Sequence, residues 1–304
     1  MRWTVLGVVM GLLLGACATG GGPITPDPAP RPVRIATGNE GGVYLDYGGG
    51  IAEALRRRLP ALTPEVLVTG ASVENLELLA AGRADVAFTL ADAAADAGPG
   101  VVALARIYEN YLQVVVRADS EVQSLEHLRD RPVSVGAAKS GTAVAARRVL
   151  AAAEVTAQEH TMELQASADA LADRDIDALF WSGGLPTDAI TELGERVPLR
   201  LVDLAGIADD LAEGYRDFYT EAVVPASAYG GAAVTTVSVP NYLVVRRDLP
   251  DDVAYALTWL LFTERATVEA AHQEARRLDL RAAIATYPLD LHPGAARFYR
   301  AAKR

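Results

Sequence analysis

The residues in this chain with types and spacings suited to chemistry point to holding a ligand rather than transforming one. Gly38, Gly41 and Gly42 frame a loop between an apolar run, Val33 to Ala36, and a helical pattern with Ile51, Leu55 and Leu59 four apart. A strand, a Gly-rich turn and a helix leave backbone N–H groups facing the carboxyl end of the strand, where an anionic group is favoured. Ser72, with Asn75 three positions on, opens a second helix, either as its N-cap or as a ligand contact. Ser140 and Thr142 precede a long Ala-rich helix. They either cap it or join its N–H groups in holding a carboxylate. The run Ala178-Leu-Phe-Trp-Ser-Gly-Gly184 repeats the theme, with a Trp at the end of an apolar strand and Gly-Gly before the next helix.

Other chemistries lack their residues. His127, His160, His272 and His292 stand apart, with no pair at a metal-ligand spacing, so neither zinc nor iron is expected. No Gly-x-Ser-x-Gly elbow occurs, and the Gly spacing after Ala36 fits neither a dinucleotide fingerprint nor a phosphate loop. Asp92 and Asp177 lie near strand ends but far apart in sequence. These patterns indicate no enzyme and no cofactor.

The elements that position these residues begin after a secretory pattern. Residues 1–17 read as a lipoprotein signal peptide: Arg2, an apolar core from Val5 to Leu14 too short to span a membrane comfortably, then Leu14-Gly15-Ala16-Cys17. That last run resembles a lipobox, in which the Cys17 thiol takes a diacylglycerol. Cys17 is the one cysteine of 304 residues, so no intrachain disulfide is possible. Residues 18–32, rich in Gly, Pro, Thr and Ala, read as a flexible tether. The net charge of −11 argues against a nucleic-acid partner, and it requires an anionic ligand to find local donors.

From Val33 strands and helices alternate. Strands are expected at 65–69, 84–90, 101–107, 111–117, 132–136, 178–182 and 200–204, and a long one at 233–245 contains Pro240. The rhythm restarts near Asp119, as for a second domain. One helix is expected over 250–271, opened by Pro250 with Asp251 and Asp252 at its positive end.

Taken together, Ala36-Thr-Gly-x-x-Gly-Gly-x-Tyr44, Thr69-Gly-x-Ser-Val-Glu-Asn-Leu76, Gly82-x-Ala-Asp85, Ser140-Gly-Thr142, Ala178-Leu-Phe-Trp-Ser-Gly-Gly184 and Ser238-Val-Pro-Asn-Tyr-Leu-Val244 resemble, in order and spacing, the TAXI family of TRAP-transporter solute-binding proteins. The resemblance runs from Arg31 to about Phe262. It implies a two-lobed α/β periplasmic-binding-protein fold of type II, each lobe a mixed sheet flanked by helices, with hinge strands near Arg117 and Val237. The lobes would be residues 33–116 with 241–304, and residues 117–240. A small anionic solute, an amino acid such as glutamate or glutamine or a dicarboxylate, would close between them and pass to TRAP membrane permease subunits. The implied ligand contacts are Gly41, Gly42, Tyr44, Ser72 and Asn75 in the first lobe, and Ser140, Gly141, Thr142, Trp181 and Ser182 in the second. The location would be periplasmic or otherwise extracytoplasmic, with a lipid anchor at Cys17. A lipid-anchored sensor for a signalling partner is the alternative. Thr89-Leu-Ala-Asp92 and the carboxylate of Glu40 depart from the family pattern and bear on which ligand is held.

Overall fold

The computed structural model describes residues 23–215 and 218–303. The signal peptide, the lipobox with Cys17 and the first residues of the tether lie outside the described residues. The end of the tether packs on the folded body: Pro28 is buried, and the Tyr255 hydroxyl donates to the Ile24 carbonyl at 3.0 Å.

Strand β1 (Arg31–Ala36) starts two residues before Val33, because Arg31 and Pro32 pair in register with Leu62 and Thr63 of β2 (Leu62–Leu67). Between them runs α1 (Val43–Arg58), which buries Tyr47, Ile51 and Leu55 along one face and carries Arg56, Arg57 and Arg58 in its last turn. Cations there suit the negative end of the helix dipole. Next come α2 (Ser72–Ala80), β3 (Val86–Leu90) and the short α3 (Ala91–Ala94). Both β2 and β3 lie parallel to β1, as right-handed β-α-β crossovers require.

β4 (Val101–Arg117) is one continuous strand, where the sequence suggested two. Glu109 and Asn110 interrupt the apolar run but not the backbone, which keeps pairing with Pro240 and Val239 of β10. After it come β5 (Pro132–Ser134), α4 (Gly141–Ala152), β6 (Gln158–His160), α5 (Leu164–Asp173) and β7 (Ala178–Gly183). Then follow α6 (Asp188–Arg196), β8 (Leu199–Leu201), α7 (Ile207–Tyr215), β9 (Thr220–Val224) and α8 (Ala226–Tyr229). The long β10 (Val234–Arg246) returns through the sheet with Pro240 opposite Glu109, its register against β4 shifting between Asn241 and Tyr242 and again between Leu243 and Val244. The expected 250–271 helix is two, α9 (Asp251–Thr263) and α10 (Arg265–Ala271). The break falls at Glu264, whose carboxylate meets Arg58 Nε at 2.8 Å. α11 (Pro293–Ala302) closes the chain, capped by the His292 ring accepting from Gly294 N.

The sheet order is β2-β1-β3-β10-β4-β7-β5-β6, with β8 added on β4 and β9 on β10. The β2-β1-β3 end, with α1, α2 and α9 to α11, forms one lobe. The β7-β5-β6 end, with α4 to α6, forms the other. β4 and β10 run through both. Tyr47, Phe88, Leu260 and Phe298 pack one face of the first lobe. A second cluster, from Leu79 and Leu90 through Leu112 to Val149 and Phe180, is continuous from one lobe into the other. Leu171, Ile190 and Leu193 fill the outer face of the second lobe.

Asp85 fastens the edge of the first lobe. Its carboxylate accepts from Arg34 N at 3.0 Å, from Arg34 Nε at 2.9 Å and from Arg31 Nη2 at 3.2 Å. Burial by itself would raise this carboxyl, but the Arg34 hydrogen bonds and the charges of Arg34 and Arg31 outweigh it and hold its pKa below the ordinary value. A depressed folded-state pKa contributes stability that is complete above the unfolded carboxylate's pKa and is lost as pH falls through the folded one. Asp85→Asn is therefore expected to cost about 2 kcal/mol at neutral pH. The gap from wild type should shrink as pH drops below about 4. Urea melts of both proteins at pH 7 and pH 3 check this, and an equal gap at the two values would refute it.

Candidate functional site

Two helix starts meet between the lobes. α1 begins after Gly42, in extended conformation with no side-chain cap, and neither Val43 N nor Tyr44 N has a partner among the described residues. α4 begins after Ser140, and there Gly141 N and Thr142 N are likewise unpaired. Val43, Tyr44, Gly141 and Thr142 are all buried. Buried backbone N–H groups are nearly always paired, so four of them around one space mark a place built to receive acceptor atoms.

That space is a cavity of about 30 Å³ lined by Gly42, Val43, Tyr44, Ser72, Leu90 and Tyr108 from the first lobe and Ser140, Gly141, Thr142, Trp181 and Ser182 from the second, with Asn110 on the shared strand β4. At roughly 10–15 Å³ per water-sized group it takes two or three such groups, the size of an acid headgroup. Beneath it lies a relay of amides. The Tyr44 hydroxyl donates to Asn241 Oδ1, Asn241 Nδ2 to Asn110 Oδ1 at 2.9 Å, and Asn110 Nδ2 to the Ser182 carbonyl at 2.9 Å. Burial pushes the Tyr44 phenol well above its ordinary pKa, so it stays a neutral donor. Its ring packs at 5.1 Å on Phe88 and edge-on to Tyr108. Trp181 is held by its Nε1–H donating to Thr187 Oγ1 at 2.9 Å and packs so closely on Gly183 that no side chain fits there.

Of the ten contact residues read from the sequence, eight line this cavity and two do not. Gly41 is exposed, with φ +74, in the turn ahead of α1, where its freedom to adopt the left-handed region shapes the loop. Asn75 is buried away from the cavity. Its Nδ2 donates to the Thr37 and Phe88 carbonyls at 2.6 and 2.8 Å, and its Oδ1 accepts from Thr69 Oγ1 at 2.6 Å. It ties the β1 and β3 ends together, and both its N–H donors are spent there.

The three hydroxyls expected at helix starts take different roles. Ser72 is the first residue of α2, not its cap; that place belongs to Ala71, and the Ser72 oxygen accepts from Leu90 N at 3.1 Å. Ser140 caps α4: it accepts from Ala143 N at 3.0 Å and donates to the Ala137 carbonyl at 2.8 Å, which uses its only proton. Thr142 accepts from Ser182 N at 3.2 Å and keeps its proton free.

The start of α2 is occupied by the opposite lobe. Val73 N and Glu74 N both donate to the Lys139 carbonyl, at 3.1 and 3.2 Å, and Lys139 Nζ reaches Glu77 at 2.6 Å. On the far rim Asn39 Nδ2 donates to Glu163. On the α10 side Leu185 N donates to Glu274 Oε1 at 3.3 Å. The lobes are thus in contact around the cavity.

Val43, Asn110 and Asn241 are not marked as site residues by the sequence; of Arg106, Tyr108 and Tyr111, which it offers for the cleft, Tyr108 alone lines the cavity. A polar residue inside a long β-run, Asn110 between Tyr108 and Tyr111 or Asn241 after Pro240, was the available signal. Arg106 pairs with Glu109 and is not among the cavity residues. Among the described residues no group of three or more His, Cys, Asp or Glu could hold a metal ion, and no helix is long and apolar enough to cross a membrane.

Residues 35–302 match the family model described as NMT1-like. Among solved structures, the chain is similar to the periplasmic aliphatic sulphonate binding protein SsuA from Escherichia coli, at 15% identity over 90% of this chain and 84% of that one, with a TM-score of 0.51. It is similar to a putative L-cystine ABC transporter from Listeria monocytogenes at 13% identity over 79% and 94%, TM-score 0.51. It is also similar to XAC2383 from Xanthomonas citri bound to chloride ion, at 13% identity over 90% and 98%, TM-score 0.51. At these identities the likeness is one of fold, the α/β periplasmic-binding-protein fold.

Proposed function

The chain belongs to the NMT1-like family, and from that premise we propose that it is an extracytoplasmic solute-binding receptor. It captures a small anionic solute between residues 33–116 with 241–304 and residues 117–240. It delivers that solute to a TRAP-type permease driven by an ion gradient, from a lipid anchor at Cys17. The observation that carries the binding role is the convergence of four unpaired N–H groups, from one helix start in each lobe, on a single buried cavity. Each start adds the positive end of a helix dipole, and an oxyanion supplies the missing acceptors. The cavity residues include hydroxyls but no imidazole, thiol or carboxylate that would activate one, which favours binding without turnover. The TRAP partner rests on the ordered motifs from Ala36 to Val244, and the transporter-linked names among the fold relatives agree with a receptor role in general.

Thermal shift of the purified chain against small carboxylates and sulfonates tests the binding. A ligand at 100 times its Kd adds about 2.7 kcal/mol, several degrees in Tm. No shift with any member of the panel would overturn the reading. The permease assignment is checked by uptake into vesicles carrying the TRAP subunits, with and without the receptor.

The two hydroxyls of the α4 start are expected to separate. Thr142→Val removes a donor facing the cavity and should weaken an acid's binding about 10-fold or more; it also takes the acceptor from Ser182 N, at a cost of about 1–3 kcal/mol of stability. Ser140→Ala removes a cap, costing about 1 kcal/mol of stability, with affinity near wild type. Calorimetric titration and melting of both variants check this; equal affinity losses would put the Ser140 hydroxyl on the ligand.

A further inference from the structure

We infer that the cleft selects a small acid that carries no amine: a carboxylate or like oxyanion bearing oxo or hydroxyl groups, and not an α-amino acid. The inference rests on the receptor reading above and narrows its substrate class.

The ground is the balance of donors and acceptors left open around the cavity. The backbone contributes four unpaired N–H groups, at Val43, Tyr44, Gly141 and Thr142. The Thr142 hydroxyl already accepts from Ser182 N at 3.2 Å and keeps its proton, while Ser72 accepts from Leu90 N at 3.1 Å and lies beside the Tyr44 oxygen. The Ser182 hydroxyl accepts from Asn110 at 3.4 Å and also retains its proton. Tyr108, 3% exposed, lines the same cavity with a hydroxyl that has no partner among the described residues. The open groups are thus overwhelmingly donors.

Acceptors are scarce. Of the side-chain carbonyls on the cavity, that of Asn110 is taken by Asn241. Only Asn39 Oδ1 is open, on a residue whose nitrogen is already committed to Thr69 and Glu163. No cavity-lining residue is a carboxylate. Acids outside the lining are engaged elsewhere: Glu163 holds Asn39, Asp92 is bonded to Arg148 and Tyr219, and Glu274, behind Gly184, accepts from Leu185 N and lies against Arg277.

An ammonium brings three N–H donors and a full positive charge. Buried among donors and two helix starts of like polarity, it would lose its hydration without a partner, a penalty of several kcal/mol. A carboxylate with an oxo or hydroxyl neighbour offers acceptors at every position, matching what the cavity lacks. The absence of a cationic side chain from the lining leaves this recognition to amides and hydroxyls, which read acceptor geometry rather than bulk charge.

The test is calorimetric titration of the purified chain with matched pairs that differ only at C2: pyruvate and L-lactate against L-alanine, 2-oxobutanoate against L-2-aminobutanoate, and 2-oxoglutarate against L-glutamate. The expected result is that in any pair that binds, the oxo or hydroxy acid binds at least 100-fold tighter than the amino acid. An amino acid binding as tightly as its partner, or tighter, overturns this inference and leaves the receptor reading standing. Absence of binding by every member overturns this inference, and the receptor reading falls with it only if the wider panel of carboxylates and sulfonates also gives no thermal shift.

Discussion

Replacing Gly141 with Ala should remove tight ligand binding while leaving the folded chain as stable as before. Gly141 is the first residue of α4, and its backbone is not in the left-handed region, so the helix itself accepts or prefers alanine there. The obstacle is the other lobe. A Cβ on Gly141 would stand 2.5 Å from Leu90 Cδ1, 2.6 Å from Ser72 Oγ and 3.0 Å from Leu90 Cγ. Leu90 and Ser72 are almost wholly buried and bonded to each other, so neither can step aside. The clash is relieved only by parting the lobes. Overpacking of this kind costs about 1–3 kcal/mol, which shifts closure by about 5- to 150-fold and lowers the affinity by the same factor. Titration with the best ligand, melting without ligand, and small-angle scattering together test it: weak binding, an unchanged or slightly raised Tm, and a larger radius of gyration with ligand than wild type shows. Wild-type affinity in Gly141→Ala would mean that this contact takes no part in closure.

Arg148→Met should be among the most destabilising single changes in the chain. Asp92, in α3 just after β3, is fully buried and accepts from Arg148 Nη1 at 2.9 Å, from the Tyr219 hydroxyl at 2.6 Å and from Ala93 N at 2.7 Å. Burial raises the Asp92 carboxyl, and the Tyr219 hydrogen bond and the Arg148 charge oppose that rise. The guanidinium also lies 4.6 Å over the Tyr215 ring. Without Arg148 the carboxylate keeps its desolvation penalty and loses its counter-charge, which costs about 3–5 kcal/mol. Removing the charge as well should restore much of this, so Asp92→Asn/Arg148→Met is expected to be more stable than Arg148→Met alone. Tyr219→Phe, losing one bond to the carboxylate, should cost about 1.5–3 kcal/mol. Urea melts of wild type, Asp92→Asn, Arg148→Met and the double variant form the cycle, with Tyr219→Phe measured beside them. A double variant no more stable than Arg148→Met would show that the cost comes from lost packing on Tyr215 rather than from the stranded charge.

The alternation of strands and helices from Val33 to Thr263 was written in the sequence, because periodicity and Gly-rich turns act over a few residues. The loop–helix starts at Gly42 and Gly141 were legible for the same reason: a strand, a small-residue turn and an apolar-periodic helix are local features. So was the capping by Ser140, which needs only Ala137 and Ala143. In β4, Glu109 and Asn110 look like a break, but Glu109 pairs with Arg106 three residues before it, and the polarity of Asn110 answers to partners that arrive from far along the chain. Asn110 meets Asn241 and Ser182, 131 and 72 residues away.

Only the tertiary structure decided which of the candidate groups face one another. That α1 and α4 point at one cavity depends on the sheet order, in which β4 and β10 join the two ends. The α2 start, an equally good candidate in sequence, is filled by the Lys139 carbonyl across the cleft. Asn75 is spent inside its own lobe, while Tyr108 and Asn110 come to the cavity from the middle of a strand. Local pattern determines what each segment becomes; which donors stay unpaired is settled by long-range packing, since a hydrogen-bonding group is free only when every neighbour in space has left it so.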